Sequence, residues 1–290
     1  MESDLTSKLS ALRNRTLERD DESDPEGRIY RHKETGDIFH SVTRILGATM
    51  PEQNKRALER WLERPGSLQN RDMAATRGTA MHNNAEYVLK TAQRLARSTA
   101  NKRNSWRVGK DGLYRAPKAV TRWAIEKAIA GAPKVPWSAA GFARGLRGWI
   151  LDHVTAIHSI EFSIHHYLGF AGSADGLVDL MLPGASEPVL AIVDWKSTGK
   201  SAHANMDDVL EGYSHQCGAY ALGLEARTGL RVPGAAVVVA RRSGEPQCHF
   251  LDRTALTAAS EAFTERCDRY FDALFFKALK KGSEEPVVGD

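Results

Sequence analysis

The chain has 290 residues, 42% of them hydrophobic and 26% charged, and its 40 Lys/Arg against 36 Asp/Glu leave a formal charge of +4. That is enough apolar material for one large domain or two small ones, and too mild a charge to single out a partner. There is no run of about 18 apolar residues, which argues against a membrane span, and three cysteines without CxxC spacing (Cys217, Cys248, Cys267) argue against a disulfide framework, a zinc knuckle or an iron–sulfur cluster and fit a cytoplasmic-type compartment.

Residues 1–26 hold eight acids and four bases with few large apolar groups, the composition of a mobile polar tail, and lack the apolar centre of a signal peptide. "RIYRHKETGDIFHSV" alternates apolar and polar residues around "ETGD" and predicts a hairpin. "PEQNKRALERWLER" has helical spacing, with Leu58, Trp61 and Leu62 on one side. "RGTAMHNNAEYVLKTAQRLA" predicts a helix with Thr79 as its N-cap. Residues 101–115 read as irregular, and helical patterns follow near 117–130 and 138–155. Strands are then predicted at "HSIEFSIHH", "GFAGSADGLVDLML", "PVLAIVDWK", "GAAVVVARR" and "PQCHFLD". A helix of about twenty residues, "MDDVLEGYSHQCGAYALGLEART", lies between the third and fourth, and a long helix from Arg253 closes the pattern.

Charge is unevenly spread. Between Lys90 and Trp149, fourteen Lys/Arg face only Asp111 and Glu126, a local net of +12. Trp106, Tyr114, Trp123, Trp137, Phe142 and Trp149 lie within the same stretch. Cations interleaved with aromatics suit a nucleic-acid strand, the charges meeting phosphates and the rings stacking on bases. On that reading Lys102, Arg103, Arg107, Trp106 and Trp123 contact DNA and the segment forms a wall beside the site; Arg77, upstream of the stretch in the phrase "RGTAMHNNAE", is a further expected DNA contact. A solvated helical face over ordinary core aromatics gives the same letters.

"AIVDWKSTGK" holds the chemistry. Side chains alternate along a strand, so Asp194 and Lys196 share a face and Trp195 takes the other. A hairpin through "LPGASEP" brings Asp175 of the preceding strand towards Asp194. Two adjacent carboxylates repel unless a divalent cation neutralises them, and oxygen ligands suit Mg²⁺ or Mn²⁺. A lysine beside such an ion can hold or help deprotonate an attacking water. A surface salt bridge spells the same motif.

Four motifs in order carry a resemblance: "RGTAMHNNAE", "GSADGLVDL", "IVDWKS" and "QCGAY". Together they resemble the PD-(D/E)XK nuclease superfamily, in particular its RecB-type exonuclease branch, over about residues 77–90 and 158–250. "HSVTRIL" and "RALERWLER" are similar to lead-in segments of phage and mitochondrial single-strand DNA exonucleases of that branch. The resemblance implies Asp175 and Asp194 as metal ligands, with the Trp195 carbonyl a third and His82 a nitrogen ligand that favours Mn²⁺. It implies Lys196 as the water-activating or charge-stabilising residue, Glu161 as an acid that binds a second ion or orients water, and Gln216 and Tyr220 as the pair that positions substrate and lysine. Glu86 reads as a supporting group, Asp179 as peripheral, and His153, His158, His165 and His166 as no coherent metal set. Ser41 and Thr43 suit either a phosphate or a helix cap.

The expected fold is α/β: a restriction-endonuclease-like mixed sheet flanked by helices, with a largely helical N-terminal and middle region. The expected organisation is a tail over 1–26, a hairpin and helical region with a basic segment over 27–157, and a nuclease core over 158–290. The expected activity is hydrolysis of DNA with one or two Mg²⁺ or Mn²⁺ ions and no iron–sulfur cluster. Its substrate is single-stranded or end-accessible DNA in phage-type replication, recombination or repair, in the cytoplasm. A single-strand-annealing or replication protein is the expected partner class. The rivals are a structure-selective endonuclease and a DNA-binding protein with a decayed nuclease fold.

Overall fold

The computed structural model describes residues 9, 16–24, 27–199 and 206–284. Most of the expected tail lies outside these, but its described part contains an edge strand, β1 (Leu17–Asp20), antiparallel to β2 (Ile29–His32). The predicted hairpin is β2 with β3 (Ile38–Ser41), turning through Gly36 at φ 77°. β6 (Val154–His166) runs antiparallel along one edge of β7 (Phe170–Leu180). The other edge of β7 is shared: β3 lies parallel to Phe170 and Ala171, and β8 (Val189–Ser197) lies antiparallel to Gly176–Leu180. β9 (Gly234–Ala240) is parallel to β8, and β10 (Gln247–Leu251) antiparallel to β9. These eight strands form one mixed sheet, while β4 (Arg107–Val108) and β5 (Tyr114–Arg115) make a small separate hairpin.

The helices are α1 (Val42–Ala48), α2 (Glu52–Leu62), α3 (Ser67–Arg103), α4 (Lys118–Ala130), α5 (Trp137–His153), α6 (Asp207–Thr228) and α7 (Arg253–Glu284). Strand alternation sorts the core into two faces. Leu177, Ile192, Val237 and Val239 pack with Tyr220 and Leu224 of α6 and Phe263 of α7. Val178, Val193, Trp195 and Val238 pack with Met81 and Val88 of α3, Ile125 of α4 and Phe142 and Leu146 of α5. The result is a mixed sheet between two helical layers, consistent with the restriction-endonuclease-like fold expected from the sequence. Residue 157, where the sequence reading divides the chain, lies inside β6, and α3–α5 form one layer over the sheet.

One helix starts well before its expected cap. α3 starts at Ser67, not Thr79, because nothing between Ser67 and Arg103 breaks it: there is no proline and one glycine, Gly78. A single interior glycine costs only about 1 kcal/mol, which a helix this long absorbs. Thr79 is therefore mid-helix. α2 forms as predicted, yet it buries no residue, and Leu58 is 44% exposed. The basic stretch supplies layer helices. α4 turns Val120, Ala124, Ile125 and Ala128 inward, and α5 turns in Ala139, Phe142, Leu146, Trp149 and Ile150. Among the described residues no helix is long and apolar enough to cross a membrane.

Asp179 is a structural anchor. It is 3% exposed and accepts from Arg115 Nε at 2.5 Å, with His158 Nε2 at 3.0 Å. Arg115 also grips Asp111, so the network ties the β4–β5 hairpin to the sheet. Removing one partner of a buried pair leaves the other charge uncompensated. Asp179→Ala is thus expected to lower the unfolding free energy by about 3 kcal/mol. Urea unfolding checks this, and Mn²⁺ affinity should not move.

Candidate active site

The site lies where the sheet forks. Val193, opposite Gly176, is the last residue of β8 paired with β7, but β8 continues beside β9 to Ser197. On that edge of β7, Gly172–Asp175 falls between the residues paired with β3 and those paired with β8. Asp175 fills the gap. Its Oδ2 accepts the Trp195 main-chain N–H at 2.6 Å, and its Oδ1 is 3.2 Å from His82 Nδ1 of α3. The Trp195 indole is turned to the α3–α5 face, edge-on to Trp149 with ring centres 5.8 Å apart.

Asp194 and Lys196 point the other way, towards α6. Lys196 Nζ is 2.7 Å from Asp194 Oδ2, donates to Gln216 Oε1 at 3.1 Å and sits 4.9 Å from the centre of the Tyr213 ring. Gln216 Nε2 donates to Asp194 Oδ1 at 3.3 Å and to Tyr220 Oη at 2.6 Å. One helical turn separates Gln216 and Tyr220, so both reach the same side. The Tyr220 ring covers Gly172, where an added Cβ would lie 2.8 Å from it. The Gly-x-x-Asp spacing therefore has a steric cause: glycine admits the tyrosine, and the aspartate three residues on fills the fork.

Glu161 faces Asp175 from β6, because Ile160 pairs with Gly176 and Phe162 with Ala174. Its φ is 47°, a left-handed conformation shared among described non-glycine residues only by Asn104, which caps α3. Ile160 packs on the α3–α5 side and Phe162 on the α6–α7 side, so the strand reverses its alternation at Glu161. Such a backbone costs on the order of 1–3 kcal/mol and persists only where its surroundings impose it. Ligand atoms of His82, Glu161 and Asp175 all lie within 4.8 Å of one another.

The charges are strongly coupled. Burial raises the Glu161 carboxyl to about 7, with Asp175 and Glu86 adding to the effect. Burial, together with the Asp175 charge, also raises Asp194 against the pull of Lys196. Asp175 is held low: burial opposes its ionisation, but His82, Lys196 and the Trp195 N–H outweigh it. Burial likewise opposes charging Lys196 and His82, and both are nevertheless raised, Lys196 by Asp194 and Asp175, His82 by Asp175. With all three carboxylates ionised and the imidazole neutral, the single ammonium would leave a deficit of two positive charges, and the raised Glu161, Asp194 and His82 show the metal-free cluster holding protons against it. Asp194 Oδ2 is buried and accepts no well-angled hydrogen bond among the described residues. Oxygen donors, one imidazole and that deficit fit a divalent cation.

His82, Glu161, Asp175, Asp194, Lys196, Gln216 and Tyr220 line one cleft of about 520 Å³. Glu86 lines it too, paired with Lys90. Trp195, whose carbonyl is the expected ligand, lies between Asp194 and Lys196 and donates its main-chain N–H to Asp175. Ser41 and Thr43 line the cleft, and Ser41 also caps α1, accepting the Arg44 N–H at 3.1 Å. His158 bonds to Asp179, His153 faces the Met181 carbonyl and His165 meets Arg227, so none of these joins the site.

The expected DNA contacts are not brought to this cleft. Lys102 and Arg103 end α3, about 30 Å from His82 at the rise of a helix. Arg107 lies in β4, and Trp106 donates to Asn101 at 2.6 Å and meets Tyr114 edge-on. Trp123 is 41% exposed on α4. The Arg77 guanidinium lies 4.6 Å from the centre of the Phe142 ring. No residue from 90 to 149 lines the cleft. The reason is packing: α4 and α5 spend their apolar sides on the sheet, and their charges fall on the opposite face. The walls instead include Arg19, Arg28 and Tyr30, which the sequence reading missed. Arg19 sits in a four-residue strand, too short for its alternation to stand out against a polar segment.

No family model matches this chain, and no curated protein matches it. A crystal structure from Eubacterium rectale, described as "Putative exonuclease", is similar at a TM-score of 0.34 and 14% identity, over 66% of this chain and 82% of that one. A likeness that distant carries no argument about activity.

Proposed function

We propose that this chain is a metal-dependent deoxyribonuclease of the PD-(D/E)XK type, acting as an exonuclease on single-stranded or end-accessible DNA in replication, recombination or repair. The observation that carries the nuclease reading is the fork cluster: Asp175, Asp194 and Glu161 beside Lys196 and His82 in one cleft. The exonuclease and phage-type readings rest on the sequence resemblance. Asp175, Asp194, Glu161 and His82 would hold the ion. Bound there, Mg²⁺ or Mn²⁺ would polarise a phosphoryl oxygen and favour ionisation of an attacking water. Lys196, aimed by Asp194 and Gln216, places a fixed positive charge where negative charge grows on the phosphate. Tyr220 fixes the far side of Gln216, and Asp175, anchored on the Trp195 N–H, keeps the two strand ends in register.

End-labelled linear DNA, single- and double-stranded, tests this beside circular single strands in EDTA, Mg²⁺ and Mn²⁺. Metal-dependent loss of linear single strands with circles left intact is expected. Cut circles would assign an endonuclease. Folded protein that cuts nothing in either metal would leave a DNA-binding protein with a decayed nuclease fold.

A further inference from the structure

The floor of the cleft is acidic: Asp175, Asp194, Glu161 and Glu86 line it with Lys196 and His82. Lys196 is engaged by Asp194 at 2.7 Å. A polyanionic strand needs cations on the walls above such a floor. Among the described residues that line the cleft, Arg19 and Arg28 alone supply guanidinium groups, and Lys196 is the one lysine.

Both arginines are held by one carboxylate. Arg19 Nε is 2.7 Å from Asp21 Oδ2, and Arg28 Nε is 2.5 Å from Asp21 Oδ1. Two guanidinium groups on the two oxygens of one anion is also how arginines take a phosphate. Their mounting is fixed. Asp20 Oδ1 accepts the N–H groups of Glu22 at 3.1 Å and Ser23 at 2.8 Å. Arg44, its side chain 5% exposed, reaches from α1 to Asp24 at 2.8 Å and to the Gly27 carbonyl at 3.2 Å. Tyr30, buried in β2, lines the same cleft. The Arg–Asp21 contacts are open to water, with Asp21 47% exposed, so exchanging the carboxylate for another anion costs little.

We infer that Arg19 and Arg28 are the phosphate-binding wall of this cleft, and that Asp21 is a built-in competitor which a DNA phosphodiester displaces. The inference takes its ligand from the nuclease reading, but its test reads binding and not cleavage. The probe is a fluorescein-labelled oligothymidylate, followed by anisotropy at several salt concentrations. It is measured in EDTA and, in a Lys196→Ala background, in Mn²⁺.

Arg19→Gln with Arg28→Gln should weaken binding on the order of a hundredfold, about tenfold for each charged contact. It should also flatten the log–log salt slope by about 1.4, at roughly 0.7 for each phosphate contact to a single strand. Asp21→Asn should bind up to about fivefold more tightly than wild type, because an exposed ion pair no longer competes. A gain of that kind cannot come from misfolding, and melting curves check the arginine variants. Unchanged affinity and slope in a folded double-arginine variant, weaker binding by Asp21→Asn, or no measurable binding by the wild type would each overturn the inference. If the binding pattern holds but the wild type cuts nothing, the nuclease reading fails and the wall stands. Cleavage with binding indifferent to both arginines gives the reverse.

Discussion

Asp194→Ala and Lys196→Ala should each slow metal-dependent cleavage at least about a thousandfold, since several kcal/mol of charge stabilisation go and roughly 1.4 kcal/mol is a factor of ten. The two variants should differ in stability. Lys196 is the cation that Asp194 and Asp175 share in the buried floor. Removing it leaves two buried carboxylates without their lysine, an expected cost of about 3–5 kcal/mol in metal-free protein. Removing Asp194 leaves Lys196 with Gln216 and the charge of Asp175, a milder loss. Saturating Mn²⁺ should restore part of the stability of Lys196→Ala, because the ion supplies the missing positive charge. Single-turnover cleavage and urea unfolding, each with and without Mn²⁺, separate these effects. Normal turnover by pure Asp194→Ala would falsify the assigned site.

The sequence made the centre of the molecule legible and its periphery much less so. Strands β6 to β9 are runs of alternating or continuous apolar residues, and α6 has unbroken helical spacing, so local pattern and tertiary burial agree there. Asp194 and Lys196 stood out for the same reason, since they interrupt an apolar strand at alternate positions, whereas His82, Gln216 and Tyr220 were reached only through the resemblance of their motifs. Glu161 was likewise reached through the resemblance, and its left-handed backbone, at φ 47° where β6 reverses its alternation, has no local signature in the sequence. The start of α3 was misplaced because Thr79 looks like a cap when only its neighbours are read. Arg19 and Arg28 were invisible because their role depends on β1 joining the sheet edge, a long-range event with no local periodicity. The basic stretch lies away from the cleft for a different reason. Its charge is real, but Val120, Ile125, Phe142 and Leu146 set which way α4 and α5 face, and the sheet they cover is not the cleft.

Mn²⁺ affinity should climb steeply with pH up to about 7, because Glu161, raised to about 7, must lose its proton before it can bind a cation. His82, raised above its ordinary 6.5, must also become neutral to offer a nitrogen. Each proton released adds up to about tenfold per pH unit, so the pair gives between about ten- and a hundredfold per unit below neutrality. The metal-free protein should show the opposite trend in stability. Glu161 contributes stability that is full below its ordinary 4.5 and lost by about 7. The contribution of His82 is full below 6.5 and lost as pH rises through its raised folded value. Asp194, also raised, works in the same sense. Asp175 is lowered, so its contribution is lost only on acidification, below this window, while that of Lys196 is lost only above its ordinary 10.5. Metal-free protein should therefore melt at a higher temperature at pH 6 than at pH 8, and Mn²⁺ should reverse the order. Glu161→Gln removes one of the released protons, so the slope of log affinity against pH should fall by about one. Glu161→Gly should in addition melt higher without metal, by the few degrees that about 1 kcal/mol of relieved backbone strain supplies. Calorimetric titrations in buffers of different ionisation enthalpy count the protons directly. A Mn²⁺ affinity that stays flat from pH 6 to 8 would place the ion away from Glu161 and His82, and leave the strained carboxylate without a role in holding it.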